Sequence, residues 1–461
     1  MKTTIKSLLT AICLLTSFAM QSFAQDNKSI DVELLNAHRT ITYKGALIVD
    51  GQDITLSDKE LTATEGNEIA VLVVNGGHLT LNNCTIRKTG DGISQQSNGR
   101  RSGGQRPEGN RGDKRPDGAG NGQRPDDEKG QRPEGQRRQR PDGGNGQRPG
   151  GGGGGGGDDS FSFYGLNSAV VVLGKDSRID MNGCTVETDA NYANAVFACD
   201  GGTIDITNGI RIRTEKGGSR GLFATCAGII KAEGVVDIET KGAHCAALAT
   251  DRGGGTVVVG HAGTKSLSRL MTGGEGSPCI YSTGDISAYN AEGDAAVSQT
   301  MVVEGRNSIN IEDCHFTGKS PQHGGIMLYQ STSGDAREGT SVLTMKDCTI
   351  RDNSATTMIL VTNTHSIVNM DNCRFLNADG KSYGKDDAFV ACRNCNGDGR
   401  GHHWGREGSN GGQVELNLTN QTLTGTIQAA EEDSRITITA DKKSNIRKLT
   451  RLEGKGQVSL P

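Results

Sequence analysis

Nine short apolar stretches recur along this chain, beginning at Ala169, Ala195, Gly221, Cys245, Cys279, Ala295, Gly325, Thr357 and Ala388. Successive starts are 26, 26, 24, 34, 16, 30, 32 and 31 residues apart. A period of roughly 20 to 50 residues marks a solenoid, propeller or array. Each stretch is too short for a helix, and no helical apolar pattern of useful length falls between them, which disfavours alternating strand–helix units. The 16-residue interval between Cys279 and Ala295 signals one misassigned or shortened repeat.

A second strand type alternates strictly, as in His78-Leu-Thr-Leu-Asn82, Arg178-Ile-Asp-Met-Asn182, Thr203-Ile-Asp-Ile-Thr207, Ser308-Ile-Asn-Ile-Glu312, Val342-Leu-Thr-Met-Lys346 and Ser366-Ile-Val-Asn-Met370. Alternation sends Ile, Leu and Met to one face and polar residues to the other. A third piece follows in several repeats: Asn, Asp or Gly, then Cys, one residue and an apolar residue, at Cys84, Cys184, Cys314, Cys348 and Cys373. Stacked repeats would place these cysteines in one ladder. A small hydrophobe with a weak S–H donor suits an inward site at a tight corner, so buried free thiols are expected. Scattered disulfides are the alternative.

Each repeat reads as strand, turn, alternating strand, tight turn, short strand. That order resembles the coil of right-handed parallel β-helices of the pectate-lyase-like superfamily. The expected fold is therefore all-β, a single-stranded right-handed parallel β-helix. The likeness covers residues 30–94 and 161–455. The repeats between Gly221 and Asp294 also resemble repeat-rich surface proteins of gut bacteria.

The remaining segments are read from composition. Lys2 and Lys6, the apolar stretch 8–19 and Ser22-Phe23-Ala24 form a secretory signal peptide over residues 1–24. Residues 25–94 are then N-terminal coils, 161–455 the main β-helix and 456–461 a tail. Residues 95–160 repeat Gln-Arg-Pro-rich units and end in a glycine run. Such a segment cannot bury enough apolar surface to offset its ordering entropy, so a disordered insert is expected. The formal net charge of −4 gives no pull toward nucleic acid. No transmembrane segment is expected. The expected product is a monomer, secreted, periplasmic or at the cell surface.

Chemistry is harder to find. Within the resemblance, hydrolases carry Asn-x-Asp, Asp-Asp, Gly-His and Arg-x-Lys in chain order. This chain offers Asp386-Asp387 and Gly401-His402-His403, without a spaced Arg-x-Lys afterwards. Lyases of this shape use an Arg or Lys base beside clustered carboxylates, and Arg252 is the candidate base here. Cys392-x-x-Cys395 with His402 and His403 could bind zinc, form a local disulfide or remain as thiols.

The binding candidates lie at the ends of the apolar strands: Asp200, Asp251, Arg252, Asp285, Gln330, Asn363 and Arg393. In register they would make one polar stripe suited to a long polymer. Asp200, Asp251 and Asp285 could also hold Ca²⁺ through oxygen. Tyr281, Tyr329 and Trp404 are the nearby stacking candidates. The expected function is a non-catalytic surface adhesin or polysaccharide-binding protein. A pectin- or uronate-cleaving lyase or hydrolase, and a structural spacer, are the alternatives.

Overall fold

The computed structural model describes residues 29–92, 163–321, 324–331, 336–395 and 410–461. The expected signal peptide, the whole of the insert over residues 95–160, His402, His403 and Trp404 lie outside these residues. The fold is an all-β parallel β-helix, and its regular elements are strands stacked in three columns. The first column holds fourteen strands. One of them, Ser29–Leu34, runs antiparallel to Arg39–Asp50. The thirteen that remain are parallel, one per coil.

The first column explains the unalternating apolar stretches. Its inward row runs Val71, Val170, Val196, Leu222, Leu248, Ile280, Met301, Ile326, Ile359 and Val390. Its outward row is also largely apolar: Leu72, Val171, Phe197, Phe223, Ala249, Tyr281, Val302, Met327, Leu360 and Ala391. A strand buried on both faces reads as a continuous apolar run. Over the early coils the cover is the N-terminal hairpin, with Val32, Leu34 and Tyr43, and the segment carrying Tyr164 and Leu166. Ser29–Leu34 is therefore a lid on the first column and not a rung.

The short interval was a misassignment. Ala291–Ala295 belongs to the third column, paired with Ser268–Thr272 and His315–Gly318. The first-column strand of that coil is Met301–Glu304, in register with Ile280–Ser282 and Ile326–Tyr329. Residues 456–461 also carry a last strand, Gln457–Ser459, paired with Arg435–Ala440.

The turn between the second and third columns has a physical rationale for both of its residues. Asn83, Asn208, Asn290, Asp313, Asp347, Asn372 and Asn420 hold positive φ between 47° and 56°, and Gly183 holds 62°. Asn, Asp and Gly tolerate this left-handed region best. Five of these eight residues are followed by a cysteine, Cys84, Cys184, Cys314, Cys348 or Cys373, and each is buried. Its Sγ lies 3.1–3.6 Å from the carbonyl oxygen two residues earlier. It also lies 3.4–3.6 Å from a carbonyl one coil back. The carbonyl two residues earlier already accepts a backbone N–H at 2.8–3.1 Å, so the S–H adds a weak second bond at the corner. All eleven described cysteines are free thiols.

Candidate functional site

The ends of the first-column strands gather polar groups, but not as one open stripe. Asp200, held at φ 55°, is buried. Its carboxylate accepts the backbone N–H of Leu35 at 3.0 Å and of Asn36 at 2.6 Å. It is the clasp of the N-terminal hairpin. Asp200→Ala should leave two N–H groups without their acceptor and cost about 1–3 kcal/mol. Limited proteolysis checks this: new cleavage should map to the hairpin around residue 35, ahead of any cut in the coils.

The other candidates occupy separate settings. Asp251 is buried, accepts the Arg252 N–H at 2.8 Å and lies 4.0 Å from the Arg220 guanidinium. The Arg252 guanidinium stacks 3.9 Å from the centre of the Phe163 ring. Asp285 begins a second-column strand and accepts the Ser308 hydroxyl at 2.6 Å. Gln330 is buried, its amide donating to the carbonyls of Ser331 and Ala336. Asn363 donates to the Gln330 carbonyl at 2.8 Å, and the Arg393 N–H to that of Val361 at 3.1 Å. Asp200, Asp251 and Asp285 are not brought together as a calcium cage.

Asp386 is exposed, while Asp387 accepts the Gly384 N–H at 2.7 Å and the Asn377 amide at 3.0 Å. Asp387 thus braces the loop of residues 377–387. Cys392 joins the central core and its thiol donates to the Arg435 carbonyl at 3.5 Å. Cys395 packs outside the column with Leu360 and Ala391. The two thiols face opposite ways. Among the described residues, no three His, Cys, Asp or Glu side chains form a metal cage.

At the centre of the first column's outer face sits a residue that the sequence reading missed. Glu304 is buried. Its carboxylate accepts the Tyr281 hydroxyl at 2.5 Å, the Tyr329 hydroxyl at 2.7 Å and the Ser331 hydroxyl. Burial first, and Glu304 second, push both phenols well above their ordinary range. They remain neutral donors, so the knot ties three neighbouring coils together through one carboxylate. Taking Ala295 as a first-column strand hid it, because Glu304 ends the strand that was passed over.

An open groove lies elsewhere, on the outward face of the third column. It encloses about 410 Å³ and is lined by Met271, Glu292, Asp294, His315, Arg351 and Leu376, with the Thr317 and Thr349 hydroxyls between them. Strand pairing builds it. Asp294 stands beside Met271 and Thr317 in register, and Arg351 beside Thr317 and Leu376. Burial pushes the Asp294 carboxyl up, and Arg351 draws it part of the way back. Glu292 is paired with Arg269 at 3.1 Å. Beneath the groove Gly293 faces inward, in register with Leu270 and Phe316, and leaves room for the Phe316 ring: a Cβ there would meet that ring at 2.5 Å. Acceptors, donors and two apolar side chains thus line one concavity, the mixture that polar ligands require. A readable signal existed, since His315 and Arg351 flank the apolar residue of the Cys-x-apolar piece.

No family model, curated protein or solved structure matches the chain. Among the described residues, no helix is long and apolar enough to cross a membrane.

Proposed function

We propose that this chain is an exported, non-catalytic adhesin that binds polysaccharide along the outer face of its third column. The observation that carries this reading is the groove around Asp294 and Arg351, an open polar concavity built from strands of several successive coils. A solenoid repeats its surface at every coil, and that suits a polymer that repeats its own groups. Outside the groove the same face carries ion pairs, Arg87 with Glu60 at 3.2 Å and Arg213 with Glu239 at 3.4 Å.

A glycan array with the full chain tests the reading. Arg351→Ala and His315→Ala should each weaken the best ligand about tenfold, equal to about 1.4 kcal/mol. Deleting residues 95–160 should leave binding intact. Binding that survives both substitutions, or that vanishes with the deletion alone, would remove the groove as its seat.

A further inference from the structure

Among the described residues, the acids on the outer face of the third column are paired, with one exception. Glu60, Glu187, Asp237, Glu239 and Glu292 each pair with an arginine of an adjacent coil, Arg87, Arg213 or Arg269. Asp189 and Glu215, where the column turns away, find Lys216 and Lys241. Asp294 has no such cation. Its neighbours in register are Met271 and Thr317, which carry no charge. Arg351, two coils along the axis, reaches it only as a distant charge.

Arg351 is held in place by its own loop and not by the acid. Its Nη2 donates to the Ala378 carbonyl at 2.6 Å and to the Asn353 side-chain oxygen at 3.4 Å. Its Nε is buried and has no hydrogen-bond partner. A buried donor without an acceptor is costly, and so is a half-buried carboxylate without a cation. The register row therefore reads apolar, acid, hydroxyl, base, apolar: Met271, Asp294, Thr317, Arg351, Leu376. Strand spacing sets the acid and the base about 10 Å apart along the axis. Both line the same concavity of about 410 Å³, within the range of ligand pockets. A ligand of one charge would satisfy one end of the row and leave the other as it is.

We infer that the groove selects a polysaccharide of both charges, one that carries a free ammonium and a carboxylate on neighbouring sugars, as a polymer of amino sugar and uronate does. The ammonium meets the Asp294 carboxylate. The sugar carboxylate meets the Arg351 guanidinium and gives its Nε an acceptor. The Thr317 hydroxyl bonds the sugar between them. Met271 and Leu376 flank the two charges and shield them from water, which strengthens both pairs. A plain polyuronate would bring like charge to Asp294, and a neutral glycan would leave both groups unpaired, so the row rejects as well as selects. This inference rests on the polysaccharide reading and adds to it a charge pattern and a chain direction.

Calorimetry on the full-length protein tests it with size-matched oligosaccharides, at low salt and at a pH where the amine is charged. The probes are an alternating glucosamine–glucuronate with free amines, its N-acetylated form, its carboxyl-reduced form, and an oligoglucuronate. The free-amine form should bind at least tenfold tighter than either modified form. Asp294→Asn should erase its advantage over the N-acetylated form and tighten the oligoglucuronate. Arg351→Gln should erase its advantage over the carboxyl-reduced form. Both side chains face outward, so the melting curves should stay cooperative. If a variant fails to fold, the two modified ligands test the same contacts on the unaltered protein. Equal binding of the free-amine and N-acetylated forms, or an amine preference that survives Asp294→Asn, would overturn the inference and leave the polysaccharide reading standing. Binding of no glycan, here or on the array, would overturn both.

Discussion

Alkaline titration should unfold this protein through its cysteines, with a loss of several kcal/mol in unfolding free energy between pH 9 and about pH 11. Seven thiols at corners of the coil and inside the core, Cys184, Cys199, Cys245, Cys279, Cys348, Cys373 and Cys392, have their folded-state titration displaced upward, while the hydrogen bond with Cys199 draws Cys226 downward. Burial pushes Cys245 from 9.0 up to about 11. The hydrogen bond with Cys314, helped by burial, pushes Cys348 up to about 12. Cys279 and Cys392 are raised by burial, and Cys373 chiefly by its hydrogen bond with Cys348. Below pH 9 the thiols are protonated whether the chain is folded or not, and their full contribution is present. As pH rises past 9, the unfolded chain releases protons that the folded chain retains, so unfolding gains ground until the folded thiols titrate. Cys245 alone represents on the order of 3 kcal/mol across that window.

Lys88 acts in the opposite sense. It is buried and donates to the Glu65 and Gly90 carbonyls at 2.9 Å each. Burial draws its ammonium from 10.5 down to about 8. Between those values the folded chain gives up the proton first, so this one group adds stability as pH rises. Lys88→Met should therefore make the alkaline loss steeper. Guanidinium melts in reductant at pH 8, 9, 10 and 10.5 measure both slopes. A stability that stays flat to pH 10.5 would contradict the buried-thiol account. Thiol labelling at pH 8 is the companion measurement: slow in the native state, complete in denaturant.

The coil was legible because its constraints are local and repeated. A strand covered on both faces writes itself as an apolar run, and one with a wet face writes itself as alternation. The Asn-Cys corner was legible for the same reason, since positive φ and a tight inward site both restrict the residue. What stayed hidden depended on contacts between coils. Nothing near Asp200 in sequence announces that Leu35 and Asn36, more than 160 positions earlier, claim its carboxylate. The 16-residue interval was read as an anomaly, but choosing between Ala295 and Met301 requires the register of both neighbours. The groove around Asp294 escaped notice because it arises from residues that are individually ordinary on any outward strand face.

Glu304→Leu should be among the most damaging single changes outside the apolar core, costing about 3–5 kcal/mol. The substitution roughly keeps the volume and removes the carboxylate that all three hydroxyls share, leaving the long 3.5 Å contact between the two phenols. Tyr281, Tyr329 and Ser331 would each hold a hydroxyl aimed at a methyl group. A buried donor left without its partner costs roughly 1–3 kcal/mol, and three share this acceptor. Gain from no longer burying a carboxylate offsets part of that sum, which is why the expected loss is below the simple total. Glu304→Gln keeps one acceptor oxygen and should cost about half as much. Tyr329→Phe removes one donor together with its demand. In the Glu304→Leu background it should therefore cost nothing or recover stability, whereas alone it costs about 1 kcal/mol. That difference in sign, read from denaturant melts of the four proteins, is the diagnostic. If Tyr329→Phe is equally destabilising in both backgrounds, the knot contributes no coupling, and the three neighbouring coils are held by the apolar rows Ile280–Met301–Ile326 and Tyr281–Val302–Met327 alone.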